Sequence, residues 1–161
     1  MKNLINLMLV VSLFAAVSCS GNDNGNENSA AVNPEGNSMM MSGSGAAKNF
    51  FDLKGLSPAV VSYTGESDAQ KAAAEGTAVY FFAAVWCPTC KAAYDDIKLN
   101  SGKIPSGFTL IFVNYDTQRD LIKKYAVTYQ HTFVKIDGKG KALKIWSGSR
   151  TVADILREAG A

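Results

Sequence analysis

The alternation of hydrophobic and polar positions changes character along the chain, and from residue 56 onward it becomes regular. Ala59-Val60-Val61-Ser62-Tyr63 is a short run that predicts a strand, and Glu66 to Glu75, rich in alanine and stopped by Gly76, predicts a helix. The stretch TAVYFFAAV, residues 77 to 85, is apolar throughout and β-branched or aromatic at many positions, as expected of a strand covered on both faces. KAAYDDIKL, residues 91 to 99, reads as a helix ended by the breakers Asn100-Ser101-Gly102 and Pro105. FTLIFVNY, 108 to 115, is a second buried strand, and TQRDLIKKYAV, 117 to 127, a helix opened by Thr117. HTFVKID and KALKIWSG, joined through Gly138-Lys139-Gly140, predict a hairpin. Thr151 to Ala159 is an amphipathic helix with Val152, Ile155 and Leu156 on one side. The order β-α-β-α-β-α-β-β-α implies an α/β fold with a central mixed sheet and helices on both faces.

Before residue 56 the pattern is different. Lys2 precedes a 14-residue mostly apolar run, Leu4 to Val17, and then small residues, which reads as an export signal over residues 1–18 and is too short for a comfortable membrane span. Ala16-Val17-Ser18-Cys19 resembles the lipobox of bacterial lipoproteins, with Ala16 where Leu is usual. That resemblance implies that Cys19 is acylated and becomes the first residue; ordinary cleavage at Ala16/Ser18 would instead leave it a free thiol. Residues 20 to 47 are rich in Asn, Gly and Ser and lack aromatics, so they read as a tether with a root-mean-square span of about 30 Å. The expected organisation is therefore signal peptide 1–18, lipidated cysteine and tether 19–47, and one folded domain 48–161. Met39-Met40-Met41, with no His or Cys beside it, is a thin ligand set for copper.

At 161 residues and 47% hydrophobic composition the chain has room for one core, and its net charge of +2 with no long basic run gives no nucleic-acid signal. The chemistry concentrates in AAVWCPTCKAA, residues 83 to 93. A structural zinc site needs about four ligands, and the folded domain offers Cys87, Cys90 and the single histidine, His131. An inert disulfide closing so small a loop removes little unfolded-state entropy. A C-x-x-C where a buried strand meets a helix is instead the signal for thiol redox work. With Cys87 at the helix cap and Pro88 at the first helical position, the Cys87 sulfur faces unpaired N–H groups and the positive end of the helix dipole, which stabilises a thiolate. Cys90 lies one turn further and is turned inward, so position distinguishes attacker from resolver. Lys91 is expected to be a solvated lysine.

The strand YFFAAVWC running into CPTC, Trp86 before the first cysteine, the later YAVTYQHTFV and the closing hairpin and helix together resemble an exported lipoprotein of the thioredoxin family, over residues ~50–161. The resemblance implies dithiol–disulfide exchange on protein substrates, with Cys87 as nucleophile and Cys90 as resolving thiol, and with Trp86, Pro88, Thr89, His131 and Thr132 receiving or modulating the substrate. No cofactor and no metal is required. The lipoprotein form and Trp86 resemble membrane-tethered reductants fed by a transmembrane electron donor; Pro88 resembles disulfide-forming enzymes and glutaredoxins. Reduction is the favoured direction, in a bacterial cell envelope, facing the periplasm or the exterior.

Three positions depart from the family. Phe81 stands where cytosolic thioredoxins carry an acidic residue six positions before the first cysteine, and Phe112 where a lysine is often found, which leaves water, or a group the sequence does not mark, to accept the Cys90 proton. His131 occupies the place of the family's cis-proline opposite the dithiol. The peptide before it is then either trans or a strained cis bond costing about 2.5–4 kcal/mol. His131 is read as a loop residue filling the proline's place, as a neighbour that tunes the Cys87 thiolate or shuttles a proton, or as a metal ligand with the two cysteines. If its role is that of the proline, His131→Pro should retain exchange and tighten the fold. Two other function classes stay open: a copper- or zinc-binding or metallochaperone module using Cys87, Cys90 and His131, and a non-catalytic interaction domain.

Overall fold

A computed structural model describes residues 50–161; the signal peptide and tether expected over 1–47, with Cys19 and Met39-Met40-Met41, lie outside the described residues. The elements follow the expected order: β1 (Val60–Ser62), α1 (Glu66–Glu75), β2 (Thr77–Ala83), α2 (Pro88–Asn100), a 3₁₀ turn (Ser101–Lys103), β3 (Phe108–Asn114), α3 (Arg119–Lys124), β4 (Thr132–Ile136), β5 (Ala142–Ser147) and α4 (Val152–Ala159). They build a thioredoxin-like α/β fold around one five-stranded sheet of order β1-β3-β2-β4-β5. β1, β3 and β2 run parallel, β4 pairs antiparallel with β2, and β5 antiparallel with β4. No helix of the described residues is long and apolar enough to cross a membrane.

The continuous apolar run of β2 is explained by its central place, because side chains of a strand alternate between faces and here both faces are covered. Val79, Phe81 and Ala83 join a core with Ala93 and Ile97 of α2 and Val152 and Ile155 of α4. Ala78, Tyr80 and Phe82 join the opposite core with Ala69 of α1 and Leu121 of α3. The residue after α1, Gly76, also allows a close approach: a Cβ there would lie 2.0 Å from the Gly107 carbonyl oxygen.

The helix expected over 117–127 is shorter at both ends. The Asn114 carbonyl accepts from the Thr117 and Gln118 N–H groups, and its side-chain Oδ1 accepts from the Asp116 N–H at 2.9 Å. This local turn uses the residues that would have begun the helix, so Gln118, not Thr117, is the cap, and it makes no side-chain capping bond. At the other end Ala126 takes a left-handed φ of 50°, and the Ala126 and Val127 N–H groups bond back to the Lys123 and Ile122 carbonyls in the manner of a Schellman stop. α4 begins at Val152, one residue later than expected, because Thr151 is its cap, with the Thr151 hydroxyl accepting from the Asp154 N–H. Asp96 of α2 adds a cross-link there: its carboxylate accepts from the Val152 N–H at 2.7 Å, in the first turn of α4, where a negative charge meets the positive end of the helix dipole.

Candidate functional site

β2 ends at Ala83, and Ala84-Val85-Trp86 carry the chain from the sheet edge into α2. The Cys87 N–H donates to the Ala84 carbonyl at 3.1 Å. This sets Cys87, extended at φ −87° and ψ 115°, as the N-cap of α2, with Pro88 at the helix start. There the Cys87 Sγ accepts from the Cys90 N–H at 3.1 Å, one of the donors a helix N-terminus leaves unpaired. The Thr89 hydroxyl lies 3.1 Å from the same sulfur, and both cysteines are free thiols.

Exposure does not separate the two thiols, since Cys87 is 1% exposed and Cys90 0%. Hydrogen bonding does. Burial works to raise the Cys87 pKa, but bonds from the Cys90 thiol, the Thr89 hydroxyl, the Cys90 backbone N–H and the Gln130 side chain together outweigh it, and the thiol lies below its ordinary value. Cys90 moves the other way: burial, and then the Cys87 thiol, push it up to about 12. Cys87 thus holds a thiolate more readily, while Cys90 stays protonated.

The rim around the dithiol is apolar and partly open. Trp86 is 58% exposed, with Val85 and Tyr129 also exposed, and its indole N–H donates to both carboxylate oxygens of Asp116 at 3.1 Å. Pro88 is exposed on the same rim. Thr132 is buried, and its hydroxyl donates to the Tyr129 carbonyl at 2.9 Å, bracing the loop that carries Gln130 and His131. Lys91 points away and pairs with Asp95 at the surface.

His131 lies beside the dithiol, and one of its ring nitrogens and the two sulfurs all fall within 4.8 Å of one another. No peptide of the described residues is cis, so the bond before His131 is trans, and the residue adopts a left-handed φ of 61°. That conformation costs a β-carbon residue roughly 1–2 kcal/mol, and histidine is among the residues that adopt it more often than most. The His131 N–H donates to the Phe82 carbonyl at 2.8 Å, extending the β2–β4 pairing by one bond. Proline fits neither requirement, having no N–H and a φ near −65°. His131 therefore does not stand in for a cis-proline; it builds a different loop.

The imidazole is 6% exposed, and neither ring nitrogen has a hydrogen-bond partner. Burial lowers its pKa most; the Ser149 backbone, close to the ring though without hydrogen-bond geometry, works in the opposite direction, and the charge of Arg150 lowers it again. The ring is therefore neutral near pH 7. It stands edge-on to Phe81 and Phe133, each 5.5 Å away between centroids. Phe112, Phe81 and Phe133 are register partners on β3, β2 and β4, with centroids 5.1 and 4.4 Å apart. Trp146 of β5 continues the row, stacked on Phe133. Where the sequence comparison missed a carboxylate and a lysine, the molecule has an aromatic floor.

Asp116, Gln130, Ser149 and Arg150 were not marked by sequence reasoning. For Asp116 a signal existed, because the parallel pairing ends with Ala83 beside Asn114, which brings the residues after β3 next to those after β2. Gln130 directly precedes His131, so the count that places His131 opposite the dithiol places Gln130 there too; for Ser149 and Arg150 no spacing in the sequence pointed to the dithiol.

The thioredoxin family model matches residues 60–160. Among solved structures, the chain is similar to Trxlp from Edwardsiella tarda, with 22% identity and a TM-score of 0.50 over 60% of this chain and 93% of that one. It is also similar to a reduced thioredoxin pre-protein from Schistosoma mansoni, with 22% identity and a TM-score of 0.52 over 63% of this chain and 95% of that one. No curated protein sequence matches the chain.

Proposed function

Since the chain belongs to the thioredoxin family and carries its two cysteines two residues apart, we propose that it is a thiol–disulfide oxidoreductase that reduces disulfides in protein substrates. The observation that carries this reading is the Cys87 sulfur at the N-cap of α2, accepting the Cys90 N–H at 3.1 Å. The Cys87 thiolate attacks one sulfur of a substrate disulfide, and the other sulfur leaves as a thiolate that takes a proton from solvent. Cys90 then loses its proton, for which the neutral His131 imidazole is an acceptor within the cluster, and attacks the Cys87 sulfur, breaking the mixed disulfide so that the second substrate sulfur leaves as a thiolate and takes up a proton in turn. The products are a dithiol substrate and a Cys87–Cys90 disulfide, so two electrons have moved and a dithiol donor must restore them.

The reductant direction is supported by what stabilises the Cys87 thiolate. Its partners are a thiol, a hydroxyl, a backbone N–H and a glutamine side chain, none of them a full positive charge. Strong oxidants of this chemistry depend on a heavily stabilised reduced form. Equilibration of the dithiol with a thiol–disulfide buffer is expected to give a potential within about 40 mV of the −270 mV typical of thioredoxin. A value about 100 mV or more above it would reverse the assignment to an oxidant.

The envelope setting is part of the same proposal, supported by the apolar run Leu4 to Val17 and by Cys19 after Ala16-Val17-Ser18. The chain is anchored through lipid on Cys19, faces the periplasm or the exterior, and draws electrons from a transmembrane donor. Labelled palmitate should enter the wild type, and Cys19→Ala should lose the label and leave the membrane fraction. Unchanged membrane association of Cys19→Ala would remove the anchor.

A further inference from the structure

Cys87, Cys90 and His131 have an arrangement that thiol exchange does not by itself require. The imidazole is buried, both of its nitrogens are unpartnered, and one of them shares a space with two sulfurs, all within 4.8 Å of one another. A buried, unpaired polar group is costly. We propose that the reduced protein binds one univalent copper ion through the Cys87 and Cys90 thiolates and the His131 imidazole.

The dimensions fit. Three atoms no more than 4.8 Å apart have a common point within about 2.8 Å of each, so bonds of about 2.0 Å to nitrogen and 2.3 Å to sulfur need a contraction of about 0.8 Å at nitrogen and about 0.5 Å at sulfur. The donor chemistry selects the ion: two soft thiolates and an imidazole suit univalent copper, which accepts three ligands. Zinc prefers four, and no fourth Cys, His, Asp or Glu joins the cluster among the described residues. The surroundings hold the ligands in place. His131 stands edge-on to Phe81 and Phe133, its backbone is fixed by the bond to Phe82, and all three ligands are buried, which keeps water from the metal.

Charge balances within the same frame. Binding releases the two thiol protons, and two thiolates with one copper ion leave a net charge of −1. The positive end of α2, to which Cys87 is the cap, and the nearby Arg150 both favour that charge. Copper and substrate compete for the same sulfurs, so binding belongs to the reduced state and is lost when Cys87 and Cys90 form a disulfide.

The test is a titration of the full chain, reduced and anaerobic, with univalent copper against a chromophoric copper chelator, and with X-ray absorption of the loaded protein. The expected result is one copper per chain, bound by two sulfurs and one nitrogen. His131→Asn, which tolerates a left-handed backbone, should weaken binding at least ~10-fold and leave two sulfurs only; His131→Gly serves equally if the first variant is unstable. The disulfide form should bind none. No binding by the reduced wild type, two-sulfur coordination in the wild type, copper shared between two chains, displacement of copper by equimolar zinc, or unchanged affinity in both His131 variants would each overturn the proposal. Exchange activity is not the readout, so failure here leaves the oxidoreductase reading intact.

Discussion

Cys87→Ser is expected to reduce turnover of insulin disulfides by several orders of magnitude, to the background of the buffer, whereas Cys90→Ser should accumulate a mixed disulfide with a substrate protein. The difference follows from the hydrogen bonds at the two sulfurs. Cys87 is the N-cap acceptor, with the Cys90 N–H and Thr89 hydroxyl each 3.1 Å away, and its thiol is shifted below the ordinary value; a serine hydroxyl there is not ionised near neutral pH and cannot attack. Cys90, raised to about 12, contributes no thiolate until the first exchange has placed a disulfide next to it. Removing it leaves attack possible and resolution impossible. Non-reducing electrophoresis after incubation with a disulfide substrate separates the two variants, and equal behaviour would show that the roles are wrongly divided. Because Cys87 is 1% exposed, the substrate must displace part of its surroundings, with Thr89 and Gln130 among the groups that bond the sulfur.

His131→Pro should lower the unfolding free energy by roughly 3 kcal/mol or more, through the lost donor to a buried carbonyl together with an incompatible backbone. This reverses the expectation that a proline here would tighten the fold. The native residue donates its N–H to Phe82 at 2.8 Å and sits at φ 61°, and proline supplies neither. His131→Asn, by comparison, should remain within about 1 kcal/mol, since Asn adopts the left-handed region readily. Denaturant unfolding of the reduced proteins measures both. A His131→Pro variant as stable as the wild type would mean that the loop rebuilds into the cis-proline form at little cost.

Much of the fold was legible because its strongest signals are long. Ala78 to Val85 and Leu110 to Val113 are apolar without interruption, as central strands of a covered sheet require, and their order relative to the helices and the closing hairpin implied a mixed sheet. The helix expected at Thr117 was misplaced because its first residues are claimed by a turn on the Asn114 side chain, a local competition that periodicity does not register. At the site, the CPTC spacing and Pro88 were enough to place the N-cap, and counting from Val127 brought His131 to the dithiol. The depth of Cys87 was not legible, as it depends on how the 129–131 loop closes over α2's first turn. The two phenylalanines present a different case. Read singly, Phe81 and Phe112 are two missing charges; in the sheet they are register partners 5.1 Å apart. Losing both together leaves no unpaired charge in the core, whereas losing one would.

The bond from the Val152 N–H to the Asp96 carboxylate gives the end of the chain a part in the behaviour of its middle. Asp96 rides on the same helix that presents Cys87 at its tip, and the residues just before Val152 are those that border the imidazole, Ser149 with its backbone and Arg150 with its charge. The segment 149–152 therefore works as a yoke, one arm on the histidine and the other on the shaft of the dithiol helix. Four residues thus span from the backbone that borders the imidazole to the N–H held by the dithiol helix, and α4 continues from the last of them.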